Sequence, residues 1–174
     1  QSASPHEDFT ETLSRSLHAI RTHLNMDVGF ISEFVDDRRY FRYVDADNRD
    51  TVICVGQSDA LEDSFCQRVV DGRLPEFIPD ARRLPASAAL LKDVPFSIGT
   101  HISTPIVLAS GEVYGTLCTF SQAPQGDPDP NDLKVLRYTA KLAAGKIEGR
   151  RARERQGAGV PELSLVPLER KRSL

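Results

Sequence analysis

The spacing of apolar residues changes twice along the chain, and this change restricts the fold more than any other feature of the sequence. Residues 8–25 carry apolar side chains three and four positions apart, which is the repeat of one face of an α-helix. The central part of the chain instead carries β-branched and aromatic runs, and the helical repeat returns only after residue 130. The chain is therefore expected to begin and end with helices around a β-sheet. The stripe of the first helix comprises Phe9, Leu13, Leu17, Ile20 and Leu24.

Three strands are predicted after this helix. Residues 28–34 and 40–44 are rich in aromatic and β-branched side chains, and Asp36–Asp37 supplies the turn between them. A second turn at 48–50 leads into a third predicted strand at 51–55.

The middle of the chain predicts helices again. A second helix is expected to begin near Asp59, because Glu62 three residues later completes a capping-box pattern and Gly72 supplies a stop. An extended piece at 76–79 and one or two helical turns at 85–92 follow.

The end of the chain predicts a hairpin and a last helix. Residues 102–108 and 112–120 are apolar β-rich runs joined by a short turn that ends in Gly111. Asp129 can cap the last helix, and Pro130 suits its first position. The spacing of its apolar residues, three and four apart over two heptads, is typical of helices that pair. This terminal-helix stripe comprises Leu133, Leu136, Ala140, Ala143 and Ile147.

The order of elements predicts an α+β fold in which an antiparallel sheet lies between helices. One domain is expected over 8–150, after a disordered segment at 1–7 and before a basic, flexible linker or tail at 151–174.

Composition excludes several classes of protein. The formal charge is -3, and residues 149–174 carry a net +4, so the rest of the chain is at -7 and argues against nucleic-acid binding. No apolar run is long enough to span a membrane, and no signal peptide is visible. We therefore expect a cytoplasmic protein. Its three cysteines, Cys54, Cys66 and Cys118, are widely spaced and contain no CxxC pair, which argues against a disulfide framework or a zinc site.

Three segments resemble the GAF domain family, and the order of elements is the one found in that family. The segments are 25–34 (NMDVGFISEF), 64–75 (SFCQRVVDGRLP) with 78–81 (IPDA), and 103–118 with its STPI and YGTLC motifs. The second segment resembles a bacterial signalling subgroup that is often joined to cyclic-di-GMP enzymes of the EAL and GGDEF types. Neither enzyme motif occurs in this sequence.

The resemblance implies a GAF-like (PAS-like) sheet, with the terminal helices on one face and short helices and loops on the other. A small molecule would then lie on the second face. The residues expected to line such a pocket are Phe65, Cys66, Ile78, Asp80, His101, Ser103, Thr116 and Cys118. No cofactor is required by the sequence.

Each of these residues also has a plain packing interpretation. Cys66 is either a redox-sensitive or ligand-attaching thiol or a small buried hydrophobe, and no basic neighbour beyond Arg68 or Arg73 supports a lowered pKa. His101 is either a ligand-binding or haem-binding group or a strand histidine bonded to backbone.

Several specialised GAF activities lack their motifs here. The Cys-His dipeptide of bilin-binding domains does not occur, and neither does the pattern of the cyclic-nucleotide-binding domains. Free methionine sulfoxide reductases of this fold use clustered cysteines, and the separation of the three cysteines argues against that activity.

The sequence thus favours a non-catalytic sensory or regulatory domain whose small-molecule or redox input passes through paired helices to an output domain. A ligand-free dimerisation module is the alternative, and a small redox enzyme is a remote one. A homodimer is expected, and its helices would contact through Leu13, Leu17 and Ile20 together with the terminal-helix stripe.

Overall fold

The computed structural model describes residues 5–47, 53–127 and 129–172. Its helices and strands alternate in the order that the sequence predicts, with one 3-10 turn at Leu61–Asp63. In chain order the elements are α1 (Pro5–His23), β1 (Val28–Val35), β2 (Arg38–Ala46), β3 (Ser58–Ala60), α2 (Phe65–Val70), β4 (Phe77–Ile78), α3 (Pro85–Leu91), β5 (His101–Val107), β6 (Val113–Phe120) and α4 (Asn131–Arg172).

The six strands form one antiparallel sheet in the order β3-β2-β1-β6-β5-β4. β1 and β6 lie at its centre, where Ile31 is opposite Leu117. The predicted α+β class is confirmed, because helices cover both faces of this sheet.

Two tight turns are set by residues that tolerate a positive φ. Asp36 and Asp37 have φ values of 49° and 63°, and they join β1 to β2 in the position that the sequence predicts. Gly111, at φ 90°, serves the β5–β6 hairpin. These turns fix the register that brings functional side chains to one face.

The two terminal helices pack together on one face of the sheet. Leu13 and Leu17 of α1 meet Leu136 and Ala140 of α4 in a cluster that also includes Ile102 of β5. Burial of such side chains contributes about 1.5–3 kcal/mol each. This cluster anchors α1 and α4 to the domain.

The residues predicted to form the dimer contact therefore have a different role. Leu13 and Leu17 are each 1% exposed and Leu136 is fully buried within a single chain, so they have no surface left for a partner. A three-four repeat marks a buried helix face, but it does not say whether the covering surface is the chain's own sheet or a second chain. The same correction applies to Ile20, Ala140, Ala143 and Ile147, which are also buried, whereas Leu133 is only partly buried against this cluster.

A second apolar cluster lies on the opposite face, beneath α2 and α3. It includes Phe30, Phe65 and Cys118 and extends to Leu90 of α3. The predicted division of the two faces between terminal helices and mid-domain elements is thus confirmed.

The segment between β2 and α2 differs from the prediction. Residues 48–52, which include a predicted turn and the start of a predicted strand, lie outside the described residues, and 53–55 are not in a strand. The third strand is Ser58–Ala60 instead. Helix α2 begins after Ser64, whose hydroxyl accepts a hydrogen bond from the Gln67 backbone N–H at 3.1 Å. Asp59 does not cap it, because its carboxylate pairs with Arg39.

The helices at both ends are longer than predicted. α1 begins at Pro5, inside the segment expected to be disordered, while residues 1–4 lie outside the described part. α4 continues past residue 150 to Arg172, and an Arg150–Glu154 ion pair at 2.9 Å supports the first turn after the apolar repeat ends. Among the described residues, no helix combines the length and apolarity that crossing a membrane requires.

Candidate functional site

A cavity of about 490 Å³ opens on the α2 side of the sheet. β1, β2, β6, α2 and the loop at 93–98 surround it. Its size and mixture of apolar walls with a few polar groups are those of a small-molecule site. The apolar walls are formed by Phe30, Phe41, Ile53, Phe65, Ile98 and Phe120.

Arg39 of β2 supplies the positive charge of the cavity. Its guanidinium lies over the rings of Phe30 and Phe41, 5.4 and 4.7 Å from their centroids. It donates to Asp59 at 2.9 Å and to the Cys66 sulfur at 3.2 Å. Burial alone would lower the pKa of Arg39, but the negative partners outweigh it, so its pKa is raised and the charge is permanent.

Cys66, in the first turn of α2, is fully buried and receives hydrogen bonds from several directions. Thr116 donates to its sulfur at 2.9 Å, and Arg39 and Cys118 also donate to it. Burial raises the pKa of the Cys66 thiol, yet these hydrogen bonds and the Arg39 charge together lower the pKa to about 6. These contacts favour the thiolate form of Cys66.

Cys118 and His101 extend this polar floor along β6 and β5. The Cys118 sulfur lies 3.2 Å from Nε2 of His101, and burial and the neighbouring Cys66 raise the pKa of Cys118 well above its usual range. Burial, assisted by Arg39, lowers the pKa of His101 to about 3, so the ring is neutral.

One ring nitrogen of His101 has no partner among the described residues. The ring is 1% exposed, borders the cavity and lies 5.0 Å from the Phe65 ring centroid. Because Cys118 donates its proton to Cys66, Nε2 of His101 is assigned as the donor to the Cys118 sulfur. Nδ1 is then a buried acceptor without a donor. A buried polar atom of this kind is costly unless a ligand or water satisfies it.

The entrance of the cavity is acidic. Asp63 and Asp93 line it together with Ser58 and Gln57. The Arg39 charge is already balanced by Asp59 and Cys66, so the cavity as a whole carries no excess positive charge. Such a lining disfavours the binding of anionic ligands.

Three of the eight residues predicted to line a pocket border this cavity, namely Phe65, His101 and Cys118. Cys66 and Thr116 lie directly beneath them, where they hydrogen-bond each other. The structure thus brings five of the predicted residues together on one face, although whether they bind a ligand stays a prediction.

The other three predicted residues do not border the cavity. Ile78 is 1% exposed and packs in the second cluster, and Ser103 is fully buried opposite Cys118 in the β5–β6 ladder. Asp80 accepts a hydrogen bond from the Arg82 backbone N–H at 3.0 Å and pairs with the Arg82 side chain. The resemblance places these positions near the pocket, but it does not fix the direction of each side chain.

Arg39 is the main residue that the sequence prediction missed. The sequence indicates only Arg68 and Arg73 as basic neighbours of Cys66, whereas the guanidinium that contacts its sulfur comes from β2, 27 positions earlier. Strand alternation gives a usable signal, since Arg39 and Phe41 share a strand face and Phe41 is plainly apolar.

The spacing of the cysteines in the sequence does not indicate which of them approach each other in the fold. The fold places Cys66 of α2 against Cys118 of β6, while Cys54 is exposed elsewhere. Within the described chain, no group of three His, Cys, Asp or Glu side chains has the arrangement of a metal site.

Comparison with known proteins agrees with this architecture. The family model described as "GAF domain" matches residues 6–148. A search of curated proteins finds no match.

Solved structures share the fold at low sequence identity. The blue-light absorbing form of the Thermosynechococcus elongatus PixJ GAF domain superposes with a TM-score of 0.70 at 12% identity, covering 91% of this chain and 96% of that one. The GAF domain of an Acinetobacter phosphoenolpyruvate-protein phosphotransferase gives 0.64 at 17%, covering 84% and 86%. A type II free methionine-R-sulfoxide reductase from Thermoplasma acidophilum gives 0.63 at 17%, covering 82% and 94%. Since the family model covers most of the sequence and the sheet and helices agree with it, this chain belongs to the GAF domain family.

Proposed function

We propose that this GAF domain is a non-catalytic sensory or regulatory module that binds a small molecule in the cavity on the α2 side. The observation that carries the proposal is an apolar cavity of about 490 Å³ bordered by His101, whose Nδ1 has no partner among the described residues. A bound donor would satisfy that atom, and the surrounding rings would remove the body of the ligand from water.

The lining favours a neutral or cationic ligand with a flat apolar body. The rings of Phe30, Phe41 and Phe65 suit an aromatic system, and Nδ1 of His101 requires an N–H or O–H donor. The acidic entrance would attract a cation and repel a carboxylate or phosphate.

Matched probes test this preference. Tryptamine and indoleacetate share one ring system and differ in charge, so we expect tryptamine to raise the melting temperature more than indoleacetate. A ligand at about one hundred times its Kd adds about 2.7 kcal/mol of stability. His101→Phe should remove the effect of tryptamine, whereas Tyr138→Phe on α4 should leave it intact. Binding of indoleacetate alone would contradict the proposed ligand class, and no effect of either would favour the ligand-free module.

A relay from the cavity to α4 is supported by two sets of polar contacts that meet at neighbouring residues of β1. Thr116 bonds to Cys66 on one side and to Ser32 of β1 on the other, at 2.9 and 2.7 Å. The next residue, Glu33, pairs with Arg151 of α4 at 3.3 Å. A ligand with different affinity for two positions of these groups would shift α4.

We propose that homodimers form through an outer stripe of α4 rather than through the buried stripe. Tyr138 and Leu142 are 65% and 53% exposed, and Gly145 leaves open space around its Cα. The spacing is again three and four, which suits a helix pair. The outer stripe comprises Val135, Tyr138, Leu142, Gly145 and Gly149.

Charge substitutions on the two stripes separate folding from pairing. Leu142→Glu should yield a folded monomer by light scattering, because it places like charges across the proposed interface. Lys141→Glu, next to it on an exposed position, serves as the control. Leu136→Glu should instead unfold the domain, since it buries a charge in the core. A folded Leu142→Glu protein that remains dimeric would exclude this interface.

The output and location of the protein are further proposals that rest on the sequence motifs. We infer a cytoplasmic protein in which α4 leads to an output domain, with a cyclic-di-GMP enzyme as the favoured type. Measuring cyclic-di-GMP synthesis and hydrolysis by the full-length protein, with and without tryptamine, tests this assignment. Unchanged rates in a protein that binds tryptamine would exclude it.

A small redox enzyme is a second candidate, favoured by the contact between Cys66 and Cys118. Repeated turnover of a peroxide or a sulfoxide with excess dithiol reductant would establish catalysis. A single stoichiometric reaction would instead leave the domain non-catalytic.

A further inference from the structure

We infer that Cys66 and Cys118 form a hydroperoxide-reactive dithiol that closes to a disulfide beneath the cavity and thereby changes its charge. Formation of the disulfide does not depend on ligand binding. Its effect on affinity rests on the proposed function and is measured separately below.

The two thiols are held together by independent elements. Cys66 lies in the first turn of α2, and Cys118 lies two residues after Thr116 on the same face of β6. Thr116 donates to the Cys66 sulfur at 2.9 Å, so Cys66 lies against the part of β6 that carries Cys118. A disulfide requires the sulfurs to approach to about 2.05 Å. The six-residue helix α2 is the element that would move to permit this.

The pair carries one proton rather than two at neutral pH. Arg39 donates to Cys66 at 3.2 Å and stabilises a negative charge there, while Cys118 keeps its proton and donates it to Cys66. Because the two groups titrate together, the charge belongs to the pair, and transfer of the shared proton places it on either sulfur.

An oxidant in the cavity would meet Cys118 first. Cys118 borders the cavity, whereas Cys66 is completely buried and does not. Nε2 of His101, 3.2 Å from the Cys118 sulfur, is placed to stabilise a thiolate at that position. Cys118 is therefore assigned as the attacking sulfur and Cys66 as the resolving one.

The reaction balances with a hydroperoxide, ROOH, as the oxidant. The shared proton moves to Cys66, the Cys118 thiolate attacks the terminal oxygen, and the O–O bond breaks to give a sulfenic acid and an alkoxide. The alkoxide takes the proton from Cys66 and becomes an alcohol. The Cys66 thiolate then attacks the Cys118 sulfur, the S–S bond forms and hydroxide leaves. The two sulfurs lose two electrons together, and the peroxide gains them.

Oxidation would alter the cavity in two ways. The negative charge beside Arg39 disappears, so the floor loses one unit of negative charge and attracts cations less. Movement of α2 would also shift Phe65, which packs against the His101 ring. The reduced domain should therefore bind a cationic ligand more tightly than the oxidised one.

The test uses hydrogen peroxide on the reduced full chain, followed by intact-mass and peptide mapping. We expect the loss of two hydrogens and a Cys66–Cys118 cross-link in the wild type and in Cys54→Ser, the control that lacks the exposed thiol. Cys66→Ala should form no cross-link and should oxidise at Cys118 much more slowly, because Cys66 both accepts the Cys118 proton and supplies the resolving thiolate. Circular dichroism confirms that each variant is folded.

Two further readouts make the assignment falsifiable. The rate of cross-linking should fall as pH is lowered through about 6, where the pair gains its second proton. Oxidation confined to Cys54, or a rate that does not change between about pH 5 and about pH 8, would overturn the inference. If the cross-link forms but the affinity for tryptamine is equal in both redox states, the assignment of the dithiol is supported and its effect on ligand binding is excluded.

Discussion

Arg39 offers the sharpest test of the electrostatics of this site. Replacing it with Met keeps the apolar stem over Phe30 and Phe41 but removes the charge that stabilises the Cys66 thiolate. Burial would then act unopposed by Arg39, and the pKa of Cys66 should rise from about 6 to its ordinary value or above.

The magnitude follows from linkage between ionisation and folding. A cysteine thiol in the unfolded chain has a pKa of about 8.5, whereas the pKa of Cys66 in the folded domain is about 6. The Cys66 thiol is therefore the stronger acid in the folded state. A lowered pKa stabilises the folded state fully at pH values above the pKa of the unfolded chain. This stabilisation is lost as pH falls through about 6. At roughly 1.4 kcal/mol per pKa unit, the contribution is about 3 kcal/mol.

Urea unfolding under reducing conditions measures this contribution directly. The destabilisation caused by Arg39→Met should be about 3 kcal/mol larger at roughly pH 8 than at roughly pH 5. Arg38→Met, the neighbouring arginine that donates to the Ser58 hydroxyl, should show no such difference. Ultraviolet absorbance of the thiolate gives a second readout of the Cys66 pKa. An equal effect of Arg39→Met at both pH values would refute a thiolate at Cys66.

Three further substitutions test the surroundings of the site. Gly115→Ala should destabilise the domain by about 1–3 kcal/mol or prevent folding, because an added Cβ would lie 1.9 Å from the Ser32 carbonyl oxygen. Differential scanning calorimetry measures this loss of stability. Ser64→Ala should cost about 1 kcal/mol in urea by leaving the Gln67 backbone N–H uncapped, and an unchanged midpoint would contradict that role. The pKa of His101 is lowered from about 6.5 to about 3, so the unfolded chain binds a proton at a higher pH than the folded domain does. The free energy of unfolding should therefore decline by about 5 kcal/mol as pH falls from about 6.5 to about 3. His101→Gln should flatten this decline, which circular dichroism can follow.

Features determined by neighbours in sequence could be predicted well. The Asp36–Asp37 turn and the stop at Gly72 follow from local backbone preferences, and both have the positive φ values that such positions favour. Pro105 lies on β5 beyond the residues that pair with the two-residue strand β4, so its missing N–H costs no hydrogen bond on that side.

Features determined by contacts between distant segments could not be predicted. The close neighbour of Gly115 is the backbone of β1, more than 80 residues earlier in the chain. Arg39 acts on Cys66 for the same reason, since β2 reaches α2 only in the folded chain. The surface that covers the terminal-helix stripe is likewise determined by the sheet, because the spacing of the apolar residues does not specify it.

The buried stripe of α4 restricts the movements by which this helix could carry a signal. Turning α4 about its own axis would lift Leu136 and Ala140 out of the core, and exposing even one such side chain costs about 1.5–3 kcal/mol. Sliding with the sheet, or bending beyond Ile147 where the buried repeat ends, leaves those contacts intact. A screw-like rotation within the domain is therefore the least accessible motion, and a displacement along the helix or a swing of its far end is the most accessible.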